Sequence, residues 1–232
     1  MSGSWIATCV LFALAMQVAA LSAAAQVPPS AAELKSYRGL FAAVASGDEA
    51  QTRRSLRDGG DPNVRDGNGR SILHIAAVQG HPGLVGILLE AGADPSTLDD
   101  QRYDAVTVAA VRDDVPMLRA LLAAGASTKL VTSPYDGTAL IAAAHLGHDQ
   151  GVRELIAAGA PLDHVNNLGW TALIEAVILG AGGTRHVETV RALVEAGANP
   201  SLADRSGVTP LQHARSSGYS AIASILERTV PR

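Results

Sequence analysis

The hydrophobic and polar positions of residues 71–92 predict two short helices in succession. Ser71 precedes the apolar run Ile72–Val78, and Gly80 follows it. A hydroxyl side chain can cap the free N–H groups at a helix start, and glycine favours the conformation that ends a helix. Positions 84, 85, 87, 88 and 89 then place a second apolar face on one side of a helix, which Gly92 ends.

The same pair of helices returns along the chain. The glycine that ends the second helix recurs at intervals of 33, 33, 34 and 38 residues. These glycines are Gly59, Gly92, Gly125, Gly159 and Gly197. Such a period is typical of a solenoid, in which each unit buries its apolar face against its neighbours. The links between units, such as Asp94–Asp100, have the composition of turns.

The repeated motif resembles the ankyrin repeat, whose pattern is G-x-T-P-L-H-x-A-A-x-x-G-H followed by V-x-x-L-L-x-x-G-A-D. Gly69–His74 and Gly207–Gln212 match it closely, Gly169–Ile174 is a variant, and Arg102–Thr107 is degenerate. The resemblance implies an all-α fold, an ankyrin-repeat solenoid of about six helix–turn–helix units with short β-hairpin loops.

The repeat region covers residues 34–228, and its two end units differ from the others. The expected units are 34–65, 66–98, 99–131, 132–165, 166–203 and 204–228. The first unit lacks the hairpin and carries Arg38 in place of the threonine, and the last unit is short and polar. Both are typical of end caps. Residues 26–33 are expected to be a linker, and residues 229–232 a C-terminal tail.

Residues 1–25 have the features of a signal peptide. An apolar run from Trp5 to Leu21 contains no charged side chain, and Ala23 and Ala25 form an A-x-A cleavage pattern. We expect cleavage after Ala25 and a periplasmic mature chain. Secretion, or retention of this segment as a membrane anchor, is the alternative, since the apolar run is at the short limit for spanning a bilayer.

Composition restricts the chemistry of the mature chain. The only cysteine, Cys9, lies in the leader, so a cleaved chain would have no disulfide and no Cys-ligated metal. The formal net charge of −4 argues against non-specific binding to nucleic acid, which requires clustered Lys and Arg. We therefore expect no nucleic-acid partner, no cofactor, no membrane embedding of the mature form, and a monomer.

The seven histidines do not have the spacing of a metal site. His74 falls at the motif's helix-start position, and His81, His148 and His186 fall at its Gly-His position or the shifted equivalent. The resemblance implies structural roles for them, as bonds to backbone groups of neighbouring loops. The chain also lacks G-x-S-x-G, H-E-x-x-H and P-loop motifs, so we expect no enzyme activity.

The resemblance implies that partners contact the hairpin tips and the exposed ends of the first helices, on the concave side. The tips carry Arg70 and a row of three aromatics, Tyr103, Tyr135 and Trp170. Aromatic side chains with a polar group are frequent interface anchors. The opposing interpretation is that each ring folds over its own hairpin. The helix ends would add four further partner contacts, Gln79, Arg112, His145 and Leu179.

Two departures in repeat length add candidate features. One extra residue lengthens the hairpin at Thr132–Tyr135, and five extra residues follow Gly180. Insertions in solenoids often mark the functional side, so we expect Arg185, in the second insertion, to contact the partner. Glu175 stands where three other units carry an apolar residue, and we expect it to brace the inserted loop through the loop's N–H groups or through Arg185.

The sequence therefore predicts an exported, non-catalytic protein-interaction module with an unidentified protein partner. A small-ligand or metal-binding receptor centred on residues 180–186 is one alternative. A secreted effector that binds a host protein is the other.

Overall fold

A computed structural model describes residues 27–229. The expected signal peptide and its cleavage site lie outside these residues. The described part contains thirteen helices: α1 (Ala31–Ser36), α2 (Gly39–Ser46), α3 (Glu49–Arg57), α4 (Ile72–Gln79), α5 (Gly83–Glu90), α6 (Ala105–Val111), α7 (Val115–Ala123), α8 (Ala139–His145), α9 (Asp149–Ala157), α10 (Ala172–Ile178), α11 (Thr184–Glu195), α12 (Pro210–Ser216) and α13 (Ser220–Glu227). None of them is long and apolar enough to cross a membrane.

Each of the six expected units contains two of these helices, and the predicted all-α repeat solenoid is confirmed. A side chain caps the first helix of four units, with Asp104, Thr138, Thr171 and Thr209 each accepting a bond from the backbone N–H three residues on. These bonds satisfy N–H groups that a helix start would otherwise leave unpaired.

The helices form two layers. The first helices of successive units, α2, α4, α6, α8, α10 and α12, pack side by side as an inner layer, and the second helices form an outer layer. Pairs of buried alanines, such as Ala109–Ala110 and Ala143–Ala144, let the inner helices approach closely. The core therefore runs through the array between the two layers.

The hairpin loops are held by a side chain that recurs in each unit from the second to the sixth. Its oxygen accepts bonds from the N–H groups two and four residues later. The residues at this position are Asp66, Asp99, Ser133, Asn166 and Asp204. Antiparallel bridges occur only as isolated pairs within residues 27–229, Arg65 with Ser71 and Thr132 with Gly137, so these loops are hairpins without strands.

Backbone bonds also join each hairpin to the next through the middle of the array. Asp100 N–H donates to Asn68 O at 3.1 Å, and Ser133 N–H donates to Arg102 O at 2.9 Å. Asn167 N–H donates to Tyr135 O, also at 2.9 Å. The tips of the second to fifth units are thus tied along one edge.

Two expectations about where helices begin are wrong. The expected linker 26–33 overlaps α1, because Ser30 and Glu33 form a capping box that starts this helix. The five inserted residues do not form a projecting loop, since Thr184 and Arg185 already belong to α11 and only residues 179–183 connect the helices. Gly182 has a φ of +66° and lies against the Tyr219 ring, where a Cβ atom would clash.

Candidate functional site

A groove of about 360 Å³ opens on the side of the array formed by the inner helices and the hairpin loops. We call it the central groove. It lies across the third, fourth and fifth units, and Pro28 contributes to its wall. Five of the predicted partner or bracing positions line it together: Tyr103, Arg112, Tyr135, His145 and Glu175.

The groove exists because one inner-helix position carries a small side chain. Counted four residues after the cap, this position holds Ile75, Val108, Ala142, Glu175 and His213 in successive units. Ile75 and Val108 are buried and fill their positions, whereas Ala142 is half-buried and lines the groove. The missing side-chain volume at Ala142 leaves the space between the third and fifth units.

Glu175 forms the polar floor of the groove and is only 5% exposed. Its Oε2 accepts a bond from His145 Nδ1 at 2.9 Å, and its Oε1 accepts one from Asn166 Nδ2 at 2.8 Å. The prediction that Glu175 bonds the inserted loop or Arg185 is wrong. The side chain points instead toward the preceding unit and its own hairpin, where His145 and Asn166 supply its hydrogen-bond donors.

Among the four predicted helix-end contacts, His145 does not occupy the same position as the other three. Gln79, Arg112 and Leu179 lie eight residues after their caps, and the fourth unit has Leu146 there. His145 corresponds to Val78 and Val111, so it is 9% exposed and packs at the groove floor. Arg112 is exposed, and Gln79 and Leu179 are half-buried.

Only two of the three aromatic tips present a partly exposed ring. Tyr103 is 4% exposed and belongs to the core, which corrects its assignment to an open row. Burial, Asp99 and Tyr135 raise the pKa of Tyr103 to about 12, so its hydroxyl stays neutral. Tyr135 and Trp170 are half-buried at neighbouring tips.

Arg70 is also misplaced as an open tip residue, because it is 3% exposed. Its Nε donates to Asp66 Oδ2 at 2.7 Å, and its other nitrogens bond Glu33 and the Val27 carbonyl. Arg70 therefore fixes α1 and the residues before it against the second hairpin. Desolvation opposes ionisation of Asp66, but hydrogen bonds from Tyr37, Asn68 and Arg70 outweigh it and hold its pKa below the usual range.

Arg185 is exposed and pairs with two aspartates near the starts of other outer helices. Its guanidinium contacts Asp113 and lies 3.8 Å from Asp149 Oδ1. These ion pairs link α11 to the third and fourth units. At exposed positions such pairs contribute only ~0–1 kcal/mol to stability, so Arg185 could leave these aspartates for a carboxylate of another molecule at little cost.

The histidines at the Gly-His position have the structural role that the motif predicted. His81, His148 and His186 each bond a carbonyl oxygen of the preceding unit, those of Ala45, Ala110 and His145 respectively. His74 Nε2 bonds Tyr103 O at 2.7 Å. Residues 27–229 contain no cluster of three or more His, Cys, Asp or Glu that could hold a metal.

The sequence reading missed Asn166 and Ala142, which respectively hold Glu175 and open the groove. An alignment of the units on their capping residues would have found both. Asn166 occupies the recurring hairpin position, and Ala142 is the smallest residue of its series.

Comparison with known proteins agrees with this architecture. The family model of ankyrin repeats (three copies) matches residues 40–132, 117–204 and 140–229. The ankyrin repeat protein YahD of Escherichia coli (strain K12) is 40% identical over 93 residues, which are 40% of this chain and 46% of YahD. The chain thus spans less than half the length of that relative.

Solved structures show the same likeness. An ankyrin repeat domain from Acinetobacter baumannii is 42% identical with a TM-score of 0.77, over 82% of this chain and 96% of that domain. A chain from the complex of the Bdellovibrio bacteriovorus predatory endopeptidase Bd0816 with the immunity protein Bd3460 has a TM-score of 0.69 at 23% identity. It covers 84% of this chain and 100% of its own length, and this likeness is one of fold.

Proposed function

The chain belongs to the ankyrin-repeat family, and we propose that it is an exported, non-catalytic scaffold that binds a protein partner across the central groove. Ankyrin repeats are protein–protein interaction modules. The observation that carries the proposal is the groove itself, a concave, mainly apolar surface with a few polar groups at its floor. Such concave surfaces are how repeat arrays bind extended partners.

The surroundings of the groove supply the features of an interface. Tyr135 and Trp170 are partly exposed at adjacent tips, and Arg112 and Leu179 lie at the ends of α6 and α10, the inner helices on either side of α8. Aromatic and Arg side chains are enriched at interface hot spots. A partner covering this face would bury about 800 Å² on each side, as stable complexes do.

The polar groups of the groove favour binding over catalysis. Both carboxylate oxygens of Glu175 are held by neighbouring side chains. The hydroxyls of Thr107 and Thr132, which also line the groove, bond each other at 3.0 Å. A catalytic base needs a nucleophile or a substrate proton within hydrogen-bond reach, and among the described residues the ring of His145 bonds Glu175 and no hydroxyl group.

Export to the periplasm is the second part of the proposal and rests on the apolar leader and its Ala23–Ala25 cleavage pattern. Cell fractionation, with mass spectrometry of the recovered N-terminus, tests it. We expect a periplasmic chain that begins at Gln26. Recovery of the intact chain from the cytoplasm would contradict export, and recovery from the medium would favour secretion.

The binding part is tested by affinity capture from the compartment in which the chain is found. The double variant Tyr135→Ala/Trp170→Ala removes the two partly exposed rings, and Glu90→Ala, at the exposed end of α5, is the control. We expect the control to keep a specific partner that the double variant loses. Equal capture by the wild type and the double variant would contradict binding through this face.

A further inference from the structure

Glu175 is a buried carboxylate that the described chain does not pair with a cationic Arg or Lys. Its two partners are the amide of Asn166 and the ring of His145. Arg185, the cation that sequence reasoning assigned to it, is occupied by Asp113 and Asp149. Among residues 27–229, His145 is the group within salt-bridge distance of Glu175, and it supplies a countercharge only when its ring is protonated. With a neutral ring beside it, a buried carboxylate costs several kcal/mol, even when hydrogen bonds satisfy its oxygens.

The central groove leads to this carboxylate between apolar walls. Val111, Ile141, Leu146 and the Tyr135 ring line it, and Ala142 opens its floor. A long side chain with an apolar stem and a charged end matches this arrangement, since its methylene groups would contact the walls while its end group meets Glu175. The Tyr135 ring adds a face on which a cation is favourable.

We propose that the central groove is a pocket for one Lys or Arg side chain of the partner, with Glu175 as its counter-ion. This inference rests on the proposed function and names the anchor residue that the groove recognises. A purely apolar side chain fits less well, because it would remove the remaining water from Glu175 without supplying a charge. Arg112 lies at the exposed rim, where solvent screens its repulsion of an incoming cation.

The proposal is tested by titration of the ¹⁵N-labelled protein with n-butylguanidinium chloride, followed by amide chemical shifts. The uncharged n-butylurea, which has nearly the same shape, and sodium butyrate, which carries the opposite charge, are compared at equal ionic strength. We expect saturable shifts at Ala142, His145 and Glu175 with the guanidinium, at about tenfold higher affinity than with the urea.

Three variants localise the binding. Glu175→Gln keeps an acceptor for Asn166 but removes the charge, and should reduce guanidinium affinity to the level of the urea. Ala142→Ile places in the fourth unit the residue that the second unit already carries at Ile75, so the array should fold with the groove filled and both probes excluded. Ala142→Ser, of nearly unchanged volume, should bind like the wild type.

Equal affinity for guanidinium and urea, tighter binding of butyrate, or guanidinium binding that survives Ala142→Ile would overturn the proposal. If Glu175→Gln fails to fold, the Ala142 pair still decides between pocket binding and surface binding. Failure of the probes with partner capture still dependent on Tyr135 and Trp170 would reject the pocket and leave the proposed function intact. Probe binding without any partner that depends on those rings would count against the proposed function alone.

Discussion

The hydrogen bond between His145 and Glu175 can be tested with substitutions that other units of the array already carry at the same positions. His145 occupies the position of Val78 and Val111, so His145→Val places there a residue that two other units accommodate. The variant leaves Oε2 of Glu175 without the 2.9 Å bond, in a side chain that is 5% exposed. We expect the free energy of unfolding to fall by about 2–3 kcal/mol, the cost of leaving a buried charged acceptor unpaired.

Glu175→Val tests the other side of the pair. It leaves His145 Nδ1 and Asn166 Nδ2 without their acceptor, which should cost about 2 kcal/mol. The double variant removes both buried polar partners, leaving only Asn166 Nδ2 unpaired, and should lie within about 1 kcal/mol of the wild type. The pair should therefore show a coupling energy of about 3 kcal/mol.

Urea unfolding provides the measurement, followed both by far-ultraviolet circular dichroism and by tryptophan fluorescence. Trp170 is the only tryptophan of residues 27–229 and sits in the hairpin that Asn166 holds, so its fluorescence reports the fifth unit. Coincident transitions justify a single free energy of unfolding. A His145→Val variant within about 0.5 kcal/mol of the wild type, or additive effects in the double variant, would refute the reasoning.

Three further outcomes follow from the structure. Asp99→Ala removes the acceptor of two backbone N–H groups in the third hairpin and should lower the free energy of unfolding in urea by about 1–2 kcal/mol. Asp100→Ala, at an exposed neighbouring position, should change it little, and equal values for the two variants would contradict the role of Asp99 in the hairpin. Gly86→Ala, in α5 with nothing near the new Cβ, should raise the free energy of unfolding by about 0.5–1 kcal/mol and with it the melting temperature. Gly147→Ala, at φ +66° against the His186 ring, should lower the melting temperature, and a thermal scan of both variants checks this. Burial lowers the pKa of His74 from its usual 6.5. The stability that its neutral form contributes is therefore complete above that pH and declines below it, because the unfolded chain takes up the proton first. The difference in urea midpoint between the wild type and His74→Gln should shrink on acidification, and a difference that stays constant with pH would contradict this.

The fold was predictable because its signals are local and repeated. The helix caps, the glycines and the buried alanines act within one unit, so the period identifies each element without knowledge of its neighbours. The predicted lengthening of the hairpin at Thr132–Tyr135 is wrong. Ser133 holds the N–H groups two and four residues later, as in the other units, so the extra residue lies between Gly125 and Ser133, before the hairpin. The α1 helix was missed because its cap, Ser30 with Glu33, lies outside the repeat.

The site was predicted less well because its contacts join different units. Glu175 finds its partners 30 residues back and nine residues back, so a reading of its own helix could not identify them. Tyr103 and Arg70 stand at tip positions along the chain, yet both side chains fold inward, the first into the core and the second onto Asp66 and Glu33. Position along a repeat determines the backbone, whereas the direction of a long side chain depends on the unit beside it.

The backbone bonds between neighbouring tips have a mechanical consequence. They join Asn68 to Asp100, Arg102 to Ser133 and Tyr135 to Asn167 along one edge, while the outer helices meet mainly through side chains. If the array flexes, this edge should resist stretching, and the outer layer should absorb most of the change in curvature. The distance between Tyr135 and Trp170 would then stay nearly constant in a strained molecule. A partner that binds both rings would therefore need contact residues with a matching spacing.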